Sequence, residues 1–412
     1  MSTHDPRQVT EDLRNHLAMH DRRLSFLFGA GTSSAVNIAL APPTGEKPRH
    51  KPLIPGIDGL TEICRKSSSD LGEDYVKAWD MLVGQCKKNG HRVNVEDILS
   101  KVRTKIDAIG EGETLVGLDR AKLISLEKKI CATIANTVSP EIPERIPHNE
   151  FASWVKKVNR TGPIEVFTTN YDLLFEVAFE TARVPVFDGF VGTHHPFFYP
   201  ECLDDEDLLP KANWIRLWKL HGSVNWVLEN RSRGKWIIRS VPNESGELIL
   251  PSHRKYDESR KQPYVGYIDR LSRMLNLEHA LLITCGYSFG DEHINAILYS
   301  ALDNRSTANI IALQFSDLKE DDVLVEAAVR RSNLTIIGPN GGVISGIWGL
   351  WQLSQPVDNK TCSFMDIAFD SNALPEDKGS PAAASTDLMG RMRIGDFNWF
   401  CRFINSMGLD IQ

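Results

Sequence analysis

The sequence predicts an α/β fold: a parallel sheet with helices on both faces, interrupted by an inserted helical module. Three observations predict it. A short apolar run, Leu24–Phe28, ends abruptly at Gly29. A long stretch with helical periodicity follows, about residues 57–160. From Ile164 onward, short apolar runs alternate with helix-period segments, the pattern of strands joined by crossover helices.

The elements can be justified in order. Glu11–His20 reads as a short leading helix. Leu24–Phe28 is a buried strand. Ala41–Pro55, rich in proline, glycine and basic residues, reads as a loop. The clearest helix of the module starts at Asn94, with Val95, Ile98, Leu99, Val102, Ile106 and Ile109 at helical spacing. Asn94 suits the cap, and Asp97 stands in the capping-box position. Leu123, Leu126, Ile130 and Ile134 mark a second helix. Such amphipathic helices must pack on something.

Strand patterns return at Ile164–Thr168, with a helix expected over Tyr171–Thr181. Trp214–Leu220 is a strand, and Trp226–Val241 reads as a hairpin around Arg233–Gly234. His279–Cys285 is a strand before a helix at Glu292–Leu302. Asn309–Gln314, a helix near Asp321–Arg331 and Leu334–Ile337 continue the alternation. This divides the chain into a catalytic domain at 1–369 containing the helical insertion, a Pro-, Ala- and Ser-rich linker at 370–387, and a docking segment at 388–412. The last carries Phe397, Trp399, Phe400, Phe403 and Ile404, an apolar cluster that should bury itself on its own domain or on a neighbouring subunit.

Composition narrows the function classes. The 412 residues carry a formal net charge of -7, which argues against a surface built mainly to neutralise phosphate backbones. Nucleic acid is therefore expected only through a partner. The seven cysteines are dispersed and form no C-x-x-C pair, so neither a disulfide framework nor a zinc site is expected. Met1–Arg23 lacks the apolar core of a signal peptide, and no apolar run is long enough to span a bilayer. No membrane association and a cytoplasmic location are expected.

Four strand-end segments carry the candidate chemistry. The first is Gly29-Ala30-Gly31-Thr32-Ser33. Glycine permits a sharp turn there, and free amides can hold negative oxygens, although a Gly-rich strand exit is often only a turn. The second is Thr168-Thr169-Asn170-Tyr171-Asp172, where Asn170 or Asp172 could meet a ligand or simply cap the next helix. The third is Lys219-Leu220-His221-Gly222-Ser223. His221 can take a proton from a hydroxyl or a water, or be a hydrogen-bonded core histidine. The fourth is Cys285-Gly286-Tyr287-Ser288-Phe289-Gly290-Asp291. Gly286 and Ser288 could meet a phosphate or ribose, and Asp291 could hold ribose hydroxyls or cap the helix. Elsewhere, His194-His195 could form a metal pair or a loop near the site. Cys285 could be a nucleophile or a small buried residue. His253-Arg254-Lys255 reads as a solvated loop or a contact for a phosphate or partner.

Taken in this order, the G-A-G-x-S turn, the T-x-N-x-D strand end, the H-G dipeptide and the late G-x-S resemble the sirtuin NAD-binding core. The resemblance covers Leu24–Ile337 apart from the helical insert. It implies a Rossmann-like sheet holding extended NAD as substrate. It places Asn170 at the nicotinamide ribose, Asp172 near the nicotinamide carboxamide, and His221 as general base. Gly29, Ala30, Gly31, Thr32, Ser33, Gly286, Ser288 and Asp291 would line the diphosphate and ribose.

Two departures bear on activity. Sirtuin deacylases carry a P-D-F-R-like segment after the first motif, which Ser34–Pro55 lacks. They also carry zinc cysteines after the H-G dipeptide, and Ser223–Tyr264 contains no cysteine. The G-Y-S-F-G-D wording and the helical insert are similar to the bacterial sirtuin-like NADases of anti-phage defence, in particular the subunit that works beside a HerA-type ATPase. The resemblance thus implies hydrolysis of NAD to nicotinamide and ADP-ribose. The alternatives are an NAD-dependent protein deacylase and a non-catalytic scaffold sensing NAD or ADP-ribose. A free NADase would poison its host, so control by homo-oligomerisation or by the ATPase partner is expected.

Overall fold

The structure, a computed structural model, describes residues 2–39, 49–86, 93–232, 234–241, 262–355, 363–373 and 388–407. Expectations for Arg233, for His253-Arg254-Lys255, for most of the 41–55 loop and for most of the 370–387 linker fall outside those residues.

The chain is a mixed α/β protein built on a ten-stranded, mainly parallel sheet flanked by helices. It begins with β1 (Thr3–His4), α1 (Pro6–Ala18), β2 (Leu24–Phe28) and the short α2 (Ala30–Ser34). The helical stretch comprises α3 (Ile57–Ser69), α4 (Glu73–Cys86), α5 (Val95–Ala108), α6 (Arg120–Val138) and α7 (Pro147–Lys157). Then come β3 (Ile164–Thr168), α8 (Leu174–Thr181), β4 (Val186–Phe187), β5 (Phe190–Val191), β6 (Phe197–Phe198), α9 (Glu201–Asp204) and β7 (Ile215–Lys219). The hairpin strands β8 (Trp226–Arg231) and β9 (Gly234–Arg239) join β5 and β6 in a second, four-stranded sheet. The chain continues with α10 (Tyr264–Leu275), β10 (Leu281–Cys285), α11 (Glu292–Asn304), β11 (Asn309–Leu313), α12 (Val323–Val329) and β12 (Leu334–Ile337). It ends with β13 (Gly341–Ile344), β14 (Ile347–Trp351), α13 (Ser363–Ala368), β15 (Phe369–Asp370), β16 (Arg391–Met392) and α14 (Phe397–Ser406).

The main sheet runs β1-β14-β13-β12-β11-β10-β2-β3-β7-β4. β13 is antiparallel to both its neighbours, and the other described pairings in this sheet are parallel. Every residue of β2, β3, β7 and β10 is buried, as expected for strands covered on both faces. Side chains alternate between two cores. Phe26 and Phe28 join α1, α7, α8 and α14 on one face, while Leu27 joins α10, α11 and α12 on the other.

α3 to α6 form a third core that also takes in Tyr171 and Val224 from the loops beyond β3 and β7 and Leu174 from the start of α8. The module therefore packs on the carboxyl end of the sheet. Its α5 starts with a complete capping box: Asn94 accepts from the amides of Glu96 and Asp97, and Asp97 accepts from the Asn94 amide. The C-terminal aromatic residues pack onto their own chain. Phe397, Phe400, Phe403 and Ile404 are buried on the α7 side of the sheet.

Some boundaries differ from the sequence reading. The leading helix is Pro6–Ala18, started by Asp5 capping the Arg7 amide and by Pro6 in the first turn. The helix expected from Tyr171 starts at Leu174, because Tyr171 and Asp172 are taken up in contacts described below.

Candidate functional site

The four motif segments leave the carboxyl ends of four adjacent strands, β10-β2-β3-β7. From β2 the parallel strands extend through β3 and β7 in one direction and through β10, β11 and β12 in the other. Such a switch point opens a crevice beyond the strand ends, where ligands bind in open α/β sheets.

At β2 the chain turns through Gly29, which is extended and precedes α2. The Gly29 amide donates to the Cys285 carbonyl at 3.2 Å, and the Gly31 amide to the Gly286 carbonyl at 2.9 Å. A Cβ on Gly29 would lie 2.4 Å from the Gly286 oxygen, and one on Gly31 would lie 2.6 Å from the Gly286 Cα. Glycine is needed here so that two strand exits can touch backbone to backbone. The amides of Gly29 and Gly31 are thus committed to protein. Ala30 and Gly31 are exposed, whereas Thr32 and Ser33 are buried.

Beyond β3, Asn170 is buried. Its Nδ2 lies 3.1 Å from the Gly29 carbonyl, 3.0 Å from Thr32 Oγ1 and 2.8 Å from Ser33 Oγ. Its Oδ1 is buried with no donor among the described residues. Ser33 Oγ in turn donates to Asp172 Oδ2 at 2.5 Å, and the Leu174 amide donates to Asp172 Oδ1 at 3.1 Å. Burial pushes the Asp172 carboxyl up, against the opposing pull of Lys219. Lys219 is itself buried. Its ammonium donates to the Asp172 carbonyl and to Glu176 Oε1 at 2.8 Å, and reaches the Tyr171 carbonyl at 3.4 Å. The Val224 amide also bonds the Tyr171 carbonyl, at 3.0 Å. The segments beyond β3 and β7 are therefore fastened together.

His221 follows β7 and precedes Gly222, whose φ of +92° only glycine adopts freely. His221 Nε2 lies 3.0 Å from Asp291 Oδ2, and Nδ1 lies 3.5 Å from Glu96 Oε1. The same Glu96 oxygen accepts from the Tyr171 hydroxyl. Burial alone would lower the His221 pKa. The Glu96 and Asp291 carboxylates outweigh it and raise the value to about 10. Asp291 moves the other way: burial would raise it, but the hydrogen bond to His221 takes it down to about 2. Oδ1 of Asp291 also caps α11, accepting from the His293 and Ile294 amides at 2.9 and 3.1 Å. Asp291 is thus a helix cap that also holds an imidazole. Ser288 is exposed, and Gly286 has a φ of +65°.

Glu96, Tyr171 and Lys219 have no role in the sequence reading. Lys219 carries a signal there, an ammonium inside an apolar strand. Glu96 offers only its place in the first turn of a well-capped helix, which says nothing about a histidine far along the chain.

The side chains of the remaining candidates take no part in these hydrogen bonds. Cys285 is buried, with its thiol pushed up by burial, and lies 3.8 Å from the Gly395 carbonyl. It is packed, not poised for attack. His194 and His195 are exposed between β5 and β6, with ring centroids 4.2 Å apart. Among the described residues, no three His, Cys, Asp or Glu side chains group as metal ligands do, and no helix is long and apolar enough to cross a membrane.

No curated protein matches the chain. Residues 164–337 match the family model of the SIR2-like domain, a stretch that contains the Asn170, His221 and Gly286 segments and lies outside both the Gly29 turn and α3 to α6. Over that stretch the chain is sirtuin-like, which fits chemistry on NAD.

Proposed function

We propose that the protein is an NAD hydrolase that cleaves the nicotinamide–ribose bond with water, giving nicotinamide and ADP-ribose. The observation that carries this reading is the Asn170 carboxamide. Its nitrogen is fixed by Gly29, Thr32 and Ser33, and its buried oxygen has no donor among the described residues. An unsatisfied buried acceptor costs about 1–3 kcal/mol. A ribose hydroxyl, or a water aimed at the ribose carbon, would supply the missing donor.

The neighbouring residues fit the rest of such a substrate. The exposed Ala30, Gly31 and Ser288 border the switch-point crevice, where a diphosphate would lie. Asp172 stands behind Ser33, on the Asn170 side. The nicotinamide of NAD is a cationic leaving group, so the protein need only hold the ring twisted, bury it and place the attacking water. Asn170 orients that water, and His221, once its ring is released to the neutral form, draws off its proton. Atoms balance as NAD plus water giving ADP-ribose, nicotinamide and one proton.

We extend the reading to NAD depletion in anti-phage defence by a cytoplasmic homo-oligomer that works with a HerA-type ATPase. This extension rests on the sequence resemblance. The decisive experiment incubates the purified protein with NAD, alone and with such an ATPase, and follows nicotinamide and ADP-ribose by chromatography. A parallel reaction contains an acetyl-lysine peptide. Peptide-independent nicotinamide release supports hydrolysis. Release that requires the peptide and removes its acetyl group would make the protein a deacylase. Binding of NAD without turnover in every arm would leave a sensing role.

A further inference from the structure

The helical module places one carboxylate where the chemistry of His221 is decided. Glu96 stands in the first turn of α5, outside the SIR2-like stretch, and its Oε1 faces Nδ1 of the imidazole at 3.5 Å. Asp291 faces Nε2 at 3.0 Å. Carboxylates at both nitrogens favour the doubly protonated ring, because a bare nitrogen would set its lone pair against an anion. In that state it has no lone pair with which to accept a proton from water. The two carboxylates are not equivalent. Asp291 is anchored by two backbone amides at the start of α11, whereas Glu96 belongs to the module and is tied to the core through the Tyr171 hydroxyl.

We propose that Glu96 is a positioning residue that caps the basic nitrogen of His221, so that its withdrawal, with Asp291 remaining in place, converts the ring into a competent base. When Glu96 moves away, the Nδ1 proton passes to bulk water. Asp291 then holds the ring in the tautomer with the proton on Nε2. The bare Nδ1 is left to take one proton from the attacking water, and the carboxylate–imidazole pair works as an oriented base. Other ionisable groups near the pair are Tyr171, whose ring lies 6.5 Å from that of His221, and Tyr264 on α10. Burial raises the tyrosine pKa values well above the ordinary range, so both are neutral at physiological pH. Arg103 of α5 faces Tyr264 and pairs with Glu127 at 2.6 Å. Glu96 and Asp291 are thus the charges that set the state of the ring. Any event that moves α5 against the sheet is read at the base.

The catalytic arm of the test rests on the NAD-hydrolase reading, and the titration arm does not. The ¹⁵N signals of the His221 ring, assigned with His221→Asn, are followed against pH in the native protein and in Glu96→Gln. At pH 7.5 the native ring is expected to be an imidazolium. In Glu96→Gln the titration midpoint falls by about one pH unit or more, since a neighbouring opposite charge moves a pKa by about 1–3. Glu96→Asp, which keeps the charge but draws it back by one methylene, gives an intermediate midpoint. The acid limb of kcat/KM follows the midpoint, so turnover at neutral pH rises about tenfold for each pH unit by which the midpoint falls. A native ring that is neutral at pH 7.5 overturns the proposal. So does an unmoved midpoint in a variant whose melting temperature shows an intact fold. A native protein that never releases nicotinamide while the midpoints move as stated defeats the hydrolase reading and leaves the role of Glu96 standing.

Discussion

The Gly31 amide donates to the Gly286 carbonyl at 2.9 Å, and the two backbones are so close that a methyl group on either would collide with the other. This contact joins the exits of β2 and β10. Gly286 is doubly constrained, by a φ of +65° and by the Thr32 amide nitrogen 2.6 Å from where a Cβ would sit. Gly286→Ala is expected to cost about 1–3 kcal/mol. It should also weaken NAD binding, because the strand exits must separate. Thermal denaturation and titration calorimetry check the two effects, and an unchanged melting temperature with native affinity would contradict the account.

Asn170→Ala and His221→Ala should each retain the native circular dichroism spectrum while losing NAD turnover. General-base catalysis contributes about 10²–10⁴-fold, so adding His221→Ala to Glu96→Gln, where the ring is released, should lower turnover within that range. Asn170→Ala removes the buried acceptor and the link from Gly29 to Ser33 together. Its loss should be at least as large. Undiminished nicotinamide release from either folded variant would remove that residue from the mechanism.

Glu165 illustrates a purely structural charge. Buried in β3, it accepts from Arg216 at 3.2 Å, from the Trp218 indole at 2.9 Å and from both Nε and a terminal nitrogen of Arg270. Glu165→Gln leaves two buried guanidinium groups sharing the single carboxylate of Glu206. Breaking a buried ionic network from one side costs about 3–5 kcal/mol. Chemical denaturation should show the midpoint fall accordingly, and a change below about 1 kcal/mol would mean that Glu206 compensates.

His148 is fully buried between Phe175 and Phe397, with ring centroids at 4.6 and 4.9 Å, and neither ring nitrogen has a partner among the described residues. Burial takes its pKa from 6.5 down to about 3. The unfolded chain therefore binds a proton between those values that the native protein refuses. Its contribution to stability is full above pH 6.5 and declines as pH falls, by about 1.4 kcal/mol per pH unit. His148→Leu should flatten the acid side of the stability profile between about pH 6 and 4, as followed by urea denaturation. A profile that keeps its slope would place the acid sensitivity elsewhere.

Much of the frame is legible because its strands are short, mostly apolar runs with a turn-forming residue close behind: Gly29, Asn170 and Gly338. Leu24–Phe28, Ile164–Thr168 and Leu334–Ile337 match the sequence reading residue for residue. Asn94 and Asp97 identify the start of α5 because capping is local chemistry. The Ser345–Gly346 turn, with both φ values positive, makes the β13–β14 hairpin. It escapes the sequence reading because the surrounding residues are glycine-rich and only weakly alternating. α10 escapes it too, although Tyr264, Tyr267, Leu271, Met274 and Leu275 recur at helical spacing and are buried. The meeting of Glu96 with His221 has no local signature. It depends on how a helical module settles on strand ends far away in sequence. A lone histidine therefore reads as titrating near neutrality, when its surroundings place it far higher.

The last described helix reaches the first motif. Asn398 donates to the Ala35 carbonyl at 3.0 Å, one residue past α2, while the Gly395 carbonyl meets the Cys285 thiol beneath the other strand exit. A segment from far along the chain thus ties to both strand exits, as a keystone ties two halves of an arch. Prying that helix loose would slacken the glycine contact without touching Asn170, His221 or Asp291.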